Sequence, residues 1–157
     1  MQIRKVSSQD TDTAVGFLQA MVNEMATYGG HPTLGSKQVS SWFRDHVHSH
    51  IESQDHIFLA AALRAPSRQL VGILEASIAG LHPVFAPHTS LHIHAVYVAP
   101  EHRRSGVARQ LVEEAFEWGR RKGCVEADLN VLQQSPARTL YEGLGFKVFQ
   151  IELRRRL

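Results

Sequence analysis

With 157 residues, 43% hydrophobic and 20% charged, the chain has the size and composition of one globular domain with a buried core. The formal net charge is only +2, and the densest basic cluster, Arg154-Arg155-Arg156, reads as a solvated tail, so no nucleic-acid partner is expected. One cysteine (Cys124), no apolar run of the roughly 20 residues a membrane span needs, and an opening MQIRKVSSQD without a signal-peptide core lead us to expect a cytoplasmic protein with no disulfide and no membrane partner.

IRKV (3–6) reads as a short strand. Asp10 and Asp12 then lead into a helix with Val15, Leu18, Met21, Val22 and Met25 on one stripe. YGGHP (28–32) breaks it, and a second helix is expected from near Ser36, carrying Val39, Trp42, Phe43, Val47 and Ile51. HIFLAAAL (56–63) is an apolar strand, RAPSRQ (64–69) a turn, and LVGILEASIA (70–79) its antiparallel partner. GLHPVFAPH (80–88), with two prolines, reads as a loop.

SLHIHAVYV (90–98) is the next strand. A long helix over 106–122 follows, with Val107, Leu111, Val112, Ala115 and Phe116 inward and Gly123 at its C-terminal cap. CVEADLNV (124–131) is a strand, and Cys124 at its start reads as a core residue. SPARTLYEGLG (135–145) is a short helix with Ser135 as N-cap, Pro136 at its first position and Gly145 as terminator. FKVFQIELRRRL closes the sequence as a final strand. The pattern predicts a single α/β domain over 1–157, with about four helices and strands clustered in hairpins, hence a mixed and mostly antiparallel sheet.

The chemistry gathers where the strand at 90–98 hands over to its helix. A helix start exposes unpaired N–H groups and the positive end of the macrodipole, so it favours anions. Gly106 and the small Ala108 let that backbone approach a phosphate closely, while Arg103 and Arg104 add charge. The turn lacks the Lys-Ser/Thr of a Walker A loop and the extra glycines of a dinucleotide fingerprint. Read locally, a phosphate cradle and an ordinary strand-to-helix turn with surface arginines both remain open.

The wider sequence supplies a resemblance. Arg103-x-x-Gly106-x-Ala108 after VYVAP resembles the acyl-CoA-binding signature of the GNAT N-acetyltransferase superfamily. ADLNVLQQSPARTLYEGLGF (127–146) is similar to that family's second block, through Leu129, Val131, Ala137, Leu140, Tyr141, Gly145 and Phe146. The resemblance implies acetyl-CoA as cosubstrate, held by the strand end Val96, Tyr97 and Val98, by the turn Arg103, Arg104, Ser105, Gly106, Val107 and Ala108, and by Asn130, Gln134, Ala137 and Tyr141. It further implies that the Val98 N–H stabilises the oxyanion, that Tyr141 protonates the departing thiolate, and that the acetyl group passes directly to an amine without an acyl-enzyme. Tyr141 could equally be a helix aromatic packed into the core.

The family's usual carboxylate base is missing. The corresponding strand positions carry His92 and His94, which alternation places on one face. A neutral imidazole can accept a proton near pH 7; the alternative is a pair of structural or surface histidines. We take His92 as the first candidate base, His94 as the second, and Glu75 as the carboxylate alternative. Ten histidines invite a metal reading, with His46 and His50 sharing a helix face and His82, His88, His92 and His94 close in sequence. No HExxH, cysteine pair or third convergent ligand is legible, so no metal is expected. Glu24, Tyr28, His31 and Glu75 are the candidate acceptor-binding residues, with Trp42 and the 80–88 loop nearby.

The expected activity is therefore N-acetylation of a small-molecule amine (a polyamine, amino acid or antibiotic-like compound). A non-catalytic acetyl-CoA-binding module and a protein N-terminal acetyltransferase are the alternatives. A final strand with an open edge would also favour a homodimer.

Overall fold

The computed structural model describes residues 1–28, 39–80, 89–153 and 155. The expected start of the second helix, His31, and the histidines of the 81–88 loop lie outside them. Five strands form one sheet in sequence order: β1 (Gln2–Lys5), β2 (His56–Ala62), β3 (Leu70–Gly80), β4 (Thr89–Val98) and β5 (Glu126–Leu129). The first four pair antiparallel, and β5 runs parallel to β4. The helices are α1 (Thr11–Thr27), α2 (Val39–His50), α3 (Val107–Arg121) and α4 (Arg138–Glu142). Among the described residues no helix is long and apolar enough to cross a membrane.

Strand alternation divides the sheet into two apolar faces. One packs Phe58, Ala60, Ile73 and Ala95 against Leu18 of α1 and Phe43 and Val47 of α2. The other packs Leu59, Leu74, Leu91 and Ile93 against Leu111, Val112 and Trp118 of α3, with Tyr141 and Phe146 at its margin. Leu111 is fully buried, and removing a side chain so enclosed typically costs about 2–5 kcal/mol. Gly119 lets α3 lie close on β4, since a Cβ there would meet Leu91 Cβ at 3.2 Å.

Two features position the site. Between Glu75 and Ala76 the β3–β4 register shifts: Glu75 faces Ala95 and Ala76 faces Ile93, leaving His94 as the extra residue of a bulge. The β4–β5 pairing, in contrast, stops at Ile93 and Leu129. Beyond that point β4 continues five residues to Val98 while the other chain turns away, and the two strands splay apart.

Three expectations are corrected. The strand expected over 147–153 does not form; among the described residues no strand lies beside this segment, and Phe149 is 97% exposed. The helix expected over 135–145 is confined to 138–142. Ser135 and Pro136 are spent on a preceding turn, in which Ser135 Oγ accepts the Ala137 N–H at 3.3 Å and Ser135 O accepts the Arg138 N–H at 3.2 Å. The strand expected over 124–131 is shortened to 126–129.

Candidate active site

The splay of β4 and β5 opens a cleft of about 470 Å³. One wall is β4 from Ile93 to Val98, the other is Leu129 at the end of β5 with residues 130–132 after it, and the start of α3 and residues 135–141 close its end. Met21, Glu24, Met25 and Tyr28 of α1 form the remaining side.

The β4 wall presents backbone as well as side chains. Ala99 donates its N–H to Val71 O at 2.9 Å, toward β3. Successive peptide groups of an extended strand point to opposite sides, so the Val98 N–H is directed away from β3 and into the cleft. Where β5 would have covered this edge, it has already diverged.

At the end of the cleft Gly106 takes the left-handed conformation, φ +83°, and caps α3. A side chain there would be strained whatever the space available. The first main-chain bond of the helix is donated by Gln110 to Gly106 O, at 3.1 Å, which leaves the N–H groups of Val107, Ala108 and Arg109 without helical partners. Arg104 also has a positive φ, 57°, and lines the cleft. Unpaired donors, a left-handed glycine and a cationic neighbour make a cradle for a phosphate or pyrophosphate.

Arg103 is occupied elsewhere. Its Nε donates to Val98 O at 2.9 Å, and its two terminal nitrogens donate to Glu24 Oε1 and Oε2 at 3.0 and 2.7 Å. The guanidinium also lies over the Tyr97 ring, 5.4 Å from its centroid. Arg103 thus ties α1 to the exit of β4. In return, Arg103 first and Tyr28 second hold the Glu24 carboxyl below its ordinary range, and the Tyr28 hydroxyl donates to Glu24 Oε1 at 2.6 Å.

Tyr141 faces the cleft from α4, with its ring edge-on to Phe146 at 5.8 Å. Burial pushes the phenol up to about 12, and among the described residues its hydroxyl has no hydrogen-bond partner. His94, the bulge residue, lines the cleft and bonds through Nε2 to Ser77 Oγ at 2.7 Å. Desolvation lowers its pKa, with Glu75 opposing and His92, His56 and His46 adding to the shift, which favours the neutral imidazole.

Of the residues expected at the cofactor, all but Ser105 and Gln134 line this cleft. Ser105 Oγ instead donates to His102 O at 2.6 Å. Glu24 and Tyr28 line it as well. His92 sits behind His94, its ring 4.6 Å away, with Nδ1 against Asp128 Oδ1 of β5. Glu75 is buried away from the cleft, beneath His46 and His56. Sequence reading missed Asp128 and His56. Neither had a local signal, because each acquires its partner only when distant strands meet.

The strand end at Val96–Val98 and the glycine-capped start of α3, which the two sequence blocks single out, meet in this cleft. The model of the GNAT acetyltransferase family matches residues 18–146. The chain belongs to this family.

This acetyltransferase is 29% identical over 110 residues to an aminoglycoside N(6')-acetyltransferase type 1 from Acinetobacter genomosp. 13, covering 65% of the chain and 75% of that protein. Its fold is similar to that of an aminoglycoside N-acetyltransferase solved in complex with CoA, with a TM-score of 0.76, 18% identity, and coverage of 99% and 93% of the two chains. Glucosamine-6-phosphate N-acetyltransferase from Arabidopsis thaliana is another structural neighbour, with a TM-score of 0.73, 16% identity, and coverage of 99% and 97%. The protein is thus an N-acetyltransferase on a mixed, mostly antiparallel GNAT sheet, and its family implies acetyl-CoA as the acyl donor.

Proposed function

We propose that the protein transfers an acetyl group from acetyl-CoA directly to a primary amine of a small molecule, such as an antibiotic-like amino sugar, a polyamine or an amino acid. The observation that carries this reading is the uncovered edge of β4 beside the left-handed Gly106 turn. When bound there, acetyl-CoA supplies an activated acetyl thioester.

The chain's own groups have distinct tasks. The N–H groups of 107–109, with Arg104, hold the diphosphate. The Val98 N–H donates to a carbonyl oxygen on the cleft side, and a fixed donor of this kind typically contributes about 2.7–4 kcal/mol to the transition state. His94 takes the proton of the incoming ammonium, directly or through one water. We place it ahead of His92, because His94 lines the cleft and His92 stands behind it. Tyr141, protonated far above neutral pH, holds the proton for the departing thiolate. Glu24 already has its charge matched by Arg103, so it shapes the acceptor side with Tyr28 rather than offering a free carboxylate. The aminoglycoside relative supports an amino sugar among the acceptors.

Calorimetry with Gly106→Glu tests the cofactor assignment, since bulk and negative charge at that turn should abolish acetyl-CoA binding in a folded protein. Unchanged affinity would overturn it. Free-thiol release with a panel of aminoglycosides, polyamines and amino acids then tests the reaction. Binding without turnover on any of them favours the non-catalytic acetyl-CoA module.

A further inference from the structure

The sheet face beneath α2 carries a second concentration of chemistry, outside the cleft. His46 of α2 and His56 of β2 both direct Nε2 at one oxygen of Glu75 on β3, at 2.7 and 2.9 Å from Oε1. The three candidate donor atoms lie within 4.8 Å of one another. The Glu75 side chain is 7% exposed, that of His56 10% and that of His46 21%. A carboxylate so buried needs compensation, and among the described residues its side-chain hydrogen-bond partners are these two imidazoles, with no lysine or arginine.

We propose that His46, His56 and Glu75 form a site for one divalent transition-metal ion of the zinc class. Two imidazole nitrogens and one carboxylate are the donor set of zinc centres that keep a fourth position open. Metal–ligand bonds of about 2.0–2.2 Å in a tetrahedral shell put donor atoms roughly 3.4 Å apart. The present nitrogen–oxygen spacings of 2.7 and 2.9 Å reach that by side-chain shifts of roughly 0.5–0.7 Å.

Neighbouring rings pack against both imidazoles and hold them in place. Trp42 stacks on His46 with centroids 5.1 Å apart and planes 6° apart, and His94 stacks on His56 at 5.5 Å and 4°. His50 lies 4.6 Å from His46 and 4.5 Å from His56, ring to ring, and its Nδ1 is held 2.8 Å from His46 O. The ion would join α2 to β2 and β3, with His94 standing between it and the cleft. The site therefore adds to the acetyl-transfer machinery and does not depend on it.

The test is a titration of the chelator-treated, full-length protein with Co²⁺. We expect visible d–d absorption that saturates at one equivalent, a rise in Tm, and displacement of the absorption by Zn²⁺. His46→Ala, on the outer side of the site, should lose the absorption and the Tm rise while keeping its far-UV circular dichroism. Glu75→Gln should do the same, and if it does not fold, His46→Ala decides alone. No d–d absorption with excess Co²⁺ overturns the site and leaves the cluster a hydrogen-bonded hub. Full cobalt binding retained in His46→Ala also overturns it, by placing the ion elsewhere.

Discussion

Arg103 grips Glu24 through both carboxylate oxygens, across the whole span from the exit of β4 to α1. Its side chain is 38% exposed and that of Glu24 31%, so the ion pair itself is worth no more than about 0.2–1 kcal/mol. Its importance is in commitment: an arginine braced on Glu24, Val98 O and the Tyr97 ring is not available to a diphosphate. Arg104 lines the cleft, and among the described residues it has no such brace. Arg104→Ala should therefore weaken acetyl-CoA binding roughly tenfold, the effect of one charge-assisted hydrogen bond of about 1.5 kcal/mol. The loss should shrink at high salt. Arg103→Ala should lower Tm and change affinity less. Calorimetry and thermal melts on both variants check the assignment, and the reverse ranking would show that Arg103 leaves Glu24 when the cofactor binds.

Tyr141→Phe removes one oxygen and keeps the ring that packs against Phe146. Turnover should fall by 10² or more, the usual contribution of a positioned general acid, with acetyl-CoA affinity little changed. Because burial pushes the phenol to about 12, its proton is retained throughout the working range. The wild-type rate should accordingly show no alkaline limb from Tyr141 between pH 7 and about 10. A loss within twofold makes Tyr141 a packing residue.

His94→Ala should lower kcat most at pH 6–7, where an alkyl amine of pKa near 10.4 arrives as its ammonium. Activity should partly return as the pH rises and the amine loses its own proton. His92→Ala should have the smaller effect, acting through the ring 4.6 Å away. A uniform loss at every pH would point to substrate positioning, and a greater loss in His92→Ala would restore the Asp128-supported His92 as the base.

Asp10 offers a test of stability independent of the site. It accepts the two Arg4 guanidinium nitrogens at 2.7 and 2.9 Å, the Ser7 N–H at 2.8 Å and the Ser7 hydroxyl at 2.7 Å. Arg4 first, and then Ser7, hold the carboxyl well below the usual carboxylate range. With the folded value depressed, its contribution is complete above the unfolded value near 3.9 and is lost as pH falls toward the folded one. Asp10→Asn should cost about 1–3 kcal/mol at pH 7 and flatten the acid-unfolding curve below about pH 4. An acid-unfolding profile identical to wild type would count against this account.

What was legible in the sequence follows from how local each determinant is. Gly106 is required by the conformation of its own residue, so the turn and the helix after it could be read directly. Alternation put His92 and His94 on one face, but the bulge that brings His94 to the cleft depends on β3 register and left no mark in β4 alone. Glu75 meets His56 across 19 residues and His46 across 29, so the convergence exists only in the folded sheet. The expected C-terminal strand failed for the same reason. Val148, Ile151 and Leu153 carry strand propensity, but propensity supplies no neighbour.

That segment supports the last prediction, which concerns assembly. Val148, Phe149, Ile151 and Leu153 are 73–97% exposed, and none packs against the sheet. Among the described residues β5 pairs with β4 alone, so no strand lies along its outer side. An apolar segment outside the sheet and a sheet edge with no strand beside it are complementary. We expect a homodimer in which residues 147–153 of a second copy add to the β5 edge; burying each large side chain would contribute about 1.5–3 kcal/mol before the cost of association. Light scattering at micromolar concentration should give twice the 17.6 kDa chain mass, and Phe149→Asp with Leu153→Asp should return the monomer with the fold intact. A 17.6 kDa species at every concentration would rule the dimer out. A dimer that survives both substitutions would move the interface to another face.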